Sequence, residues 1–464
     1  MFSFIGRQQE LAQLRDFIAR SPLALATIRG RRRIGKSTLL REALQGTPHL
    51  YHQAQQMAPR EALLAFQRDA QQELAKLGVR VPLSVGSWAE TFELLQLATA
   101  RLGSFAVAID EFPYLAGRDG DIESAFQRIV DDAQRSGQLK VILCGSSLSF
   151  MRRMLEGQQP LHGRSGLNLV LGPLGYREAT ARFGAWGLEE RVRLHALIGG
   201  VPLYLQLFDP GQSLAENYTA QVMTPNAALH EEPANLLRSE VDAPGLYMQL
   251  LAAISQGQNK LGEILGRCPD IETAAQASYY LHTLQELGLV GQHRSLTDPP
   301  KARNSRYTVS DPMMRSWHHF VRPHLSQLQA GNAAHVWAEV IAPNLDEFTS
   351  IHFETLCRSW TAEHLPHLLG GMGGEVGAIW PTKAVSDAEI DVAAHGARGW
   401  LTGECKWTRG PVDQRNLEQL LRAETRHLAG ETIITRLLFA RSGRHPGLKL
   451  PDATQVVELD DLFS

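Results

Sequence analysis

The sequence has little of what marks secreted, membrane-spanning or disulfide-rich proteins. Its 464 residues include only four cysteines, at 144, 268, 357 and 405, with no Cys-x-x-Cys pair. This scatter argues against a disulfide framework or a cysteine-rich zinc site and suits a reducing compartment. No apolar run reaches the roughly 18 residues that a bilayer-spanning helix needs, and no secretory signal is visible. We therefore expect a cytoplasmic protein that does not bind membranes.

Strong charge and biased composition are also missing. The net charge is −3, with 44% apolar and 20% charged residues, and no repeat or low-complexity tract is present. These values are those of an ordinary soluble globular protein. The length exceeds what one hydrophobic core usually serves, so we expect about two to four domains.

Short apolar runs alternate with amphipathic stretches over the first part of the chain. This alternation indicates a parallel α/β sheet covered by helices on both faces. After Gly175 the pattern is helical and includes a GGVP turn at 199–202. The predicted strands are 23–28, 49–53, 105–109 and 139–144, and the predicted helices are 7–20, 36–44, 59–77, 88–102 and 121–136.

The stretch GRRRIGKST fits the phosphate-binding pattern G-x-x-x-x-G-K-[ST]. An apolar strand precedes it and a helical stretch follows, as this pattern requires. Backbone N–H groups of the loop would surround the phosphates, Lys36 would reach the β and γ oxygens, and the Ser37 hydroxyl would ligate Mg²⁺. The residues expected to bind the nucleotide here are Gly30, Arg33, Gly35, Lys36, Ser37 and Thr38.

A second strand, FAVAIDE, ends in two acids. Asp110 is expected to hold Mg²⁺, and Glu111 is expected to activate the attacking water. Downstream of a phosphate-binding loop, this interpretation is stronger than that of two solvated acids.

The next apolar strand, KVILCGSS, ends in Ser146 and Ser147, which are placed to sense the γ-phosphate. Of the arginines that follow, Arg164 is the preferred candidate for stabilising the transition state. Arg152 and Arg153 are the alternatives.

Six segments together resemble the archaeal-type predicted ATPases, which are similar to the AAA+ and STAND signalling ATPases. They are FIGRQQEL, GRRRIGKST, AIDEFPYL, LCGSS, HGR and GGVP. The resemblance covers about residues 1–240 and implies an ATP- and Mg²⁺-dependent ATPase core followed by a winged helix. It also implies that the GGVP turn couples nucleotide state to that winged helix, and it leaves a homo-oligomer open.

Residues 245–325 read as three helices, at 246–256, 260–267 and 273–288, and then a strand, a polar loop and another strand. This order is typical of a winged helix, which predicts DNA as a partner. The loop, residues 294–306, is basic, and its cations are Arg294, Lys301, Arg303 and Arg306.

The segment EIDVAAHGARGWLTGECKW reads as two strands flanking a turn near Ala397. The hairpin would bring Asp391 opposite Gly403 or Glu404. Glu404 and Lys406 would share one face, because side chains alternate along a strand. Two carboxylates suit Mg²⁺ or Mn²⁺, and a lysine can stabilise a developing charge. The alternative is an ordinary hairpin with a weak surface ion pair.

This D…E-x-K arrangement resembles the PD-(D/E)XK nucleases over about residues 335–464, a region that also resembles an uncharacterised domain often fused to archaeal-type ATPases. The nucleases often add a glutamate from the preceding helix. Glu354, with Ile351 and Cys357 three residues to either side, would face inward and supply it.

We therefore expect three domains: a P-loop ATPase with a helical lid at 1–240, a winged helix at 245–325 and an α/β restriction-endonuclease-like domain at 331–464. The expected function is an ATP-binding and hydrolysing switch that acts on DNA, with a metal-dependent nuclease-like domain. One alternative is a regulatory ATPase whose last domain binds nucleic acid or protein without cleavage. Another is a STAND-like scaffold that assembles on ATP.

Overall fold

A computed structural model describes residues 4–82, 86–100, 102–116, 121–157, 159–299, 304–381 and 388–464. The chain forms two compact units, Met1–Leu174 with Val201–Gln206, and Gly175–Gly200 with Leu207–Ser464. The helical residues 175–200 and 207–240 thus belong to the second unit. The three domain ranges given above remain a prediction.

The first unit is built on a five-stranded parallel sheet of order β2-β3-β4-β1-β5. Its strands are β1 (Leu25–Arg29), β2 (His49–Gln53), β3 (Phe105–Asp110), β4 (Leu139–Gly145) and β5 (Ser165–Val170). Its helices are α1 (Gln8–Arg20), α2 (Lys36–Leu44), α3 (Pro59–Lys76), α4 (Trp88–Thr99), α5 (Asp121–Ser136) and α6 (Leu148–Arg153). The four strands and five helices predicted from the sequence are confirmed, with small shifts at their ends.

Burial explains why these runs form a parallel sheet. Every residue of β3 and β4 is buried, as expected for strands covered on both faces. The order places β4 between β1 and β3, so the loops that follow these three strands open at one edge of the sheet. A cluster of aromatic rings packs on one face, where Phe112 and Phe92 both meet the edge of Phe126.

The second unit begins with helices. The segments before the C-terminal sheet are α7 (Tyr176–Thr180), α8 (Leu188–Ile198), α9 (Pro202–Leu207, most of which belongs to the first unit), α10 (Leu214–Tyr218), α11 (Glu232–Glu240), α12 (Pro244–Ser255), α13 (Leu261–Leu265), α14 (Ala274–Glu286), β6 (Val290–His293), β7 (Arg306–Val309), α15 (Pro312–Ser316), α16 (Leu325–Gln329), α17 (Ala333–Val336) and α18 (Ala342–Leu368). Helices α12, α13 and α14 followed by the antiparallel pair β6 and β7 match the predicted order of elements.

A second five-stranded sheet, of order β12-β11-β10-β9-β8, ends the chain. Strand β9 pairs antiparallel with both β8 and β10. Strand β11 pairs parallel with both β10 and β12. Its elements are β8 (Gly373–Ile379), β9 (Ile390–Gly396), β10 (Gly399–Lys406), α19 (Gln414–His427), β11 (Ile433–Ala440), β12 (Thr454–Glu458) and α20 (Leu459–Phe463).

Alternating side chains give this sheet two buried faces. Phe353 and Leu356 of α18 share one apolar cluster with Val392 of β9, and Leu417 of α19 shares the other with Ala393. Consecutive residues of β9 therefore pack on opposite faces, as the period of a strand requires. The result is a three-layer α/β arrangement in which α18 and α19 cover the sheet.

Within the described ranges, every helix is either too short or too polar to cross a bilayer.

Candidate functional site

The loop between β1 and α2 is the one that the sequence predicts to bind phosphate. A methyl group on Gly30 would lie 2.6 Å from the carbonyl oxygen of Leu171, so only glycine fits there. Gly35 has φ of 89° and Arg33 has φ of 68°, both in the left-handed region. These two residues turn the backbone so that the loop leads into the start of α2, where helix N–H groups are free to meet an anion.

Lys36 and Ser37 lie in the first turn of α2. The side chain of Lys36 is buried, and its Nζ donates a hydrogen bond of 3.1 Å to the carbonyl oxygen of Arg31. The ammonium group thus lies over the loop that would wrap the phosphates. Ser37 is half-buried, whereas Thr38 and Arg33 are exposed.

Arg7 supports this loop, although we did not predict that role. It is buried and donates from Nη2 to the carbonyl oxygen of Ile34 at 3.1 Å and to that of Gly172. It also pairs with Glu10 through Nη1 at 3.0 Å. The FIGR segment was part of the family resemblance, so a signal for Arg7 was present in the sequence.

Asp110 closes β3 with its carboxylate fully buried. Oδ2 accepts from the Tyr51 hydroxyl at 2.6 Å, and Oδ1 accepts from the backbone N–H of Glu111 at 3.0 Å. Burial and the nearby carboxylate raise the pKa of the Tyr51 phenol. Both donors are neutral, so these bonds leave the negative charge of Asp110 available to a cation. No signal in the sequence pointed to Tyr51.

Glu111 is held in the left-handed region, with φ of 54°. Its Oε2 accepts two hydrogen bonds from Ser146, one from the backbone N–H at 3.2 Å and one from Oγ at 2.7 Å. Close packing at Gly145, where a methyl group would lie 2.7 Å from Cδ of Pro113, holds the end of β4 against the turn after Glu111. The structure therefore joins the predicted water-activating acid and the predicted sensor serine.

Arg164 has other partners within the first unit. Its Nε and Nη2 donate to the two carboxylate oxygens of Asp131 on α5, at 2.7 and 3.2 Å, and Nη1 donates to the carbonyl oxygen of Pro160. Arg152 pairs with Glu156 at 3.7 Å, and Arg153 is exposed. The role of Arg164 in the transition state remains a prediction, and the described contacts give it a structural role on α5.

The C-terminal hairpin is confirmed, with Ala397 and Arg398 as its turn between paired Gly396 and Gly399. Val392 pairs with Gly403, and the next step of that register brings Asp391 opposite Glu404. Oδ2 of Asp391 accepts from the backbone N–H of Cys405 at 2.8 Å. Burial raises the pKa of the Asp391 carboxyl.

Glu404 and Lys406 lie on the same face of β10, as predicted. Their Oε1 and Nζ atoms are 2.5 Å apart, and the Glu404 side chain is only 3% exposed. The other oxygen, Oε2, is buried and has no hydrogen-bond partner among the described residues. Burial, followed by the charge of Asp391, raises the pKa of Glu404 to about 7.

Glu354 extends from α18 toward the same two carboxyls. Burial and the charge of Asp391 raise its pKa to about 7, and Arg358 donates to it at 3.4 Å. Arg358 also donates to the carbonyl oxygen of Asp391 at 2.8 Å. The reasoning that placed Glu354 inward was wrong in one respect, because Ile351 is 54% exposed. Within the described ranges, no three His, Cys, Asp or Glu side chains form a set able to hold a metal ion.

The predicted wing cations have mixed outcomes. Lys301 and Arg303 lie outside the described residues. Arg306 begins β7, and its side chain forms an ion pair with Glu389 at 3.4 Å.

Two separate regions of the chain match two different protein families. Residues 4–205 match a family described as an ATPase domain predominantly from Archaea. Residues 317–421 match a family described as archaeal and bacterial proteins of unknown function. The first match supports a P-loop ATPase in the first unit, in agreement with the loop geometry and the five-stranded parallel sheet.

One protein sequence and one solved structure each match more than two thirds of this chain. An uncharacterised protein of Methanocaldococcus jannaschii is 26% identical over 361 residues, which are 78% of this chain and 77% of that protein. The structure of a Walker-type ATPase of Pyrococcus abyssi is 21% identical, covers 68% of this chain and 96% of its own, and has a TM-score of 0.53. At this identity, the second match shows a shared fold.

Proposed function

We propose that this protein is an ATP-hydrolysing switch that acts on DNA, with a metal-dependent nuclease-like site in its C-terminal region. The observation that carries the ATPase part is the double hydrogen bond from Ser146 to Glu111, which joins the carboxyl ends of β4 and β3. It joins the residue that would activate water to a residue that would meet the γ-phosphate. A nucleotide that engages Ser146 therefore changes the freedom of Glu111.

In the first unit, some residues would bind the nucleotide and others would promote its hydrolysis. Gly30, Gly35 and the first turn of α2 bind the phosphates through backbone N–H groups, and Lys36 exchanges the Arg31 carbonyl for a phosphate oxygen. Asp110 and Ser37 would hold Mg²⁺, since Asp110 is buried with neutral donors only in its described bonds. The ion, when bound, neutralises charge on the phosphates. Glu111 orients and deprotonates the water.

We propose that a divalent cation binds at the C-terminal carboxylate site, defined as Glu354, Asp391, Glu404 and Lys406. Glu404 carries a buried oxygen without a hydrogen-bond partner among the described residues. Burial, and then the charge of Asp391, raises the pKa of both glutamates. A cation would relieve both conditions, because uncompensated buried carboxylates are costly. Asp391 and Glu404 would hold Mg²⁺ or Mn²⁺, Glu354 would assist, and Lys406 would stabilise the developing charge on a phosphodiester.

DNA as the partner is supported by the order of elements in the second unit. Three helices followed by an antiparallel pair, from Pro244 to Val309, are typical of a winged helix. The third of these helices, α14, exposes Ser278, Tyr279 and His282, which are side chains able to meet base edges or phosphates.

Two observations favour a second candidate, a regulatory ATPase whose last domain binds without cutting. Glu404 is closed onto Lys406 at 2.5 Å, and no set of three metal-holding side chains is formed within the part of the chain that the structure describes. Cleavage would therefore require movement of Lys406 away from Glu404.

Two measurements test the proposal on the full chain. Phosphate release from ATP should occur with the wild-type protein and be lost in Lys36→Ala. Nicking of plasmid DNA with Mn²⁺ and ATP should occur with the wild-type protein and be lost in Lys406→Ala. ATP turnover without any nicking would select the regulatory ATPase, and no turnover at all would overturn the ATPase assignment.

A further inference from the structure

The β6–β7 hairpin, which the structure describes at residues 290–299 and 304–309, packs on the C-terminal sheet within the second unit. The backbone N–H of Leu296 donates to the carbonyl oxygen of Ala378 at 3.1 Å. Ala378 belongs to β8, the edge strand of the sheet. The hairpin therefore covers part of an edge that would otherwise present unpaired backbone groups.

Leu296 anchors this contact through its side chain. It packs against the buried apolar cluster that contains Ile379 and Ile390. Its Cγ would lie 3.1 Å from a methyl group placed on Gly377, so the close approach uses the absence of a side chain there. One apolar residue of the hairpin thus belongs to the core of the C-terminal domain.

Arg306 of the hairpin contacts Trp380 and Glu389 of the same domain. The guanidinium carbon of Arg306 lies 4.6 Å from the ring centroid of Trp380, and Nη1 lies 3.4 Å from Oε1 of Glu389. The Arg306 and Glu389 side chains are 25% and 45% exposed. Glu389 stands two positions before Asp391, so the hairpin is tied down beside the carboxylate site.

We propose that the Arg306–Glu389 pair is a latch that keeps the hairpin closed on the C-terminal sheet, and that the phosphodiester backbone of nucleic acid opens it by taking Arg306. This proposal rests on the proposed action on DNA. Phosphate offers the guanidinium the same oxygen acceptors as a carboxylate. A partly exposed ion pair is weak in water, so a polyanion can compete for it.

The latch would couple nucleic-acid binding at the β6–β7 hairpin to access to the C-terminal carboxylate site. While Arg306 pairs with Glu389, its charge is compensated and not available to a phosphate. Once Arg306 moves to a phosphate, Glu389 loses its described cationic partner and the edge of β8 loses the support of the hairpin. Nucleic acid bound at the hairpin would thereby loosen the cover next to Asp391.

The test uses the full-length protein without nucleotide or metal. Hydrogen exchange at the Leu296 amide measures opening, and fluorescence anisotropy of a labelled short DNA duplex measures binding. The variants are Glu389→Gln and Arg306→Gln. The matched control is Glu431→Gln, which removes the charge of an exposed carboxylate two residues before β11, a strand that does not pair with β8.

Both latch variants should speed exchange at Leu296 by about fivefold, the effect of losing one partly exposed ion pair, whereas the control should not. Glu389→Gln should bind DNA more tightly than the control, because Arg306 can contact a phosphate without first leaving Glu389. Loss of that phosphate contact in Arg306→Gln should make the salt slope shallower by about one. Arg306→Gln should bind more weakly than wild type. The reversed pair, Arg306→Glu with Glu389→Arg, should restore slow exchange.

Two results would overturn the latch: wild-type exchange rates in both single variants, or DNA affinities that shift in the same direction in both. Absence of duplex binding in every variant would overturn opening by nucleic acid, while the exchange rates would still report on the ion pair. ATP turnover and plasmid nicking are measured separately, so failure of the proposed enzymatic function is distinguishable from failure of the latch.

Discussion

Ser146 donates both its backbone N–H and its hydroxyl to the same oxygen of Glu111, at 3.2 and 2.7 Å. The two residues come from the ends of β4 and β3, which are neighbouring parallel strands. These two hydrogen bonds occupy the Glu111 oxygen that would otherwise be open to a water molecule. Release of this oxygen from Ser146 therefore prepares Glu111 to accept a proton from water.

Glu111→Gln should keep ATP binding and stall hydrolysis, because the amide retains the shape of the side chain but cannot act as a base. We expect a fall in turnover of about a hundredfold or more, with an unchanged Kd for a fluorescent ATP analogue. Ser146→Ala is the companion variant, and it should alter turnover without abolishing it. Equal loss of binding in both variants would show that Glu111 has a structural role.

Lys36→Ala should remove most nucleotide affinity and turnover, because the β- and γ-phosphates lose their fixed cation. The loss of a single preorganised donor costs about a hundredfold to a thousandfold in rate. Lys76→Ala, at an exposed position of α3, is the control for loss of one lysine. Wild-type turnover in Lys36→Ala would show that this loop does not bind the phosphates of ATP.

Arg7→Ala should lower the Tm and weaken nucleotide binding together, since the buried carbonyl oxygen of Ile34 and the carbonyl oxygen of the exposed Gly172 lose their donor. Leaving the buried Ile34 carbonyl unsatisfied costs about 1 to 3 kcal/mol. Arg15→Ala removes an exposed arginine that also donates to a carbonyl oxygen, that of Glu42, and it should change neither quantity much. A normal nucleotide Kd in Arg7→Ala would limit the role of Arg7 to stability.

Stability should depend on pH through Glu354 and Glu404, whose folded-state pKa values are raised to about 7 from 4.5. Between these values the folded protein binds more protons than the unfolded chain, so the free energy of unfolding falls as pH rises through this window. Denaturant titrations at pH 5 and pH 8 should show the decline. Glu404→Gln should flatten it by about 1 to 3 kcal/mol, whereas Glu375→Gln should not. A wild-type slope in Glu404→Gln would contradict this prediction.

Mn²⁺ should raise the Tm of the full-length protein in the absence of nucleotide, because a ligand that binds the folded state alone stabilises it by mass action. At a hundredfold excess over Kd the gain is about 2.7 kcal/mol. Asp391→Asn and Glu404→Gln should each remove most of the shift, and Lys406→Ala should keep it because an ammonium group is not a ligand. The full chain is required, since Leu296 and Arg306 contact the C-terminal domain from outside residues 331–464. A protein that shows no Mn²⁺-dependent shift would leave this domain as a binding module.

Several functional features were predictable from short stretches of sequence. The phosphate-binding loop depends on glycines at fixed spacing, and Gly30 and Gly35 meet the steric and φ requirements expected of them. The hairpin that carries Asp391 and Glu404 follows from alternation and a turn, both local properties. Burial along β3 and β4 follows from continuous apolar runs. Such patterns depend on neighbours within a few residues, which is why the sequence alone determined them.

Other features depended on contacts between distant parts of the chain. Tyr51 and Asp110 meet because β2 and β3 are adjacent and parallel, and no local pattern encodes that pairing. Ile351 was expected to be buried from its spacing on a helix, but α18 presents that position to solvent. Arg306 reads as a free wing cation in sequence, yet it packs on Trp380 and pairs with Glu389, more than 70 residues further along the chain. Strand order and domain packing bring such residues together, and these are properties of the tertiary structure alone.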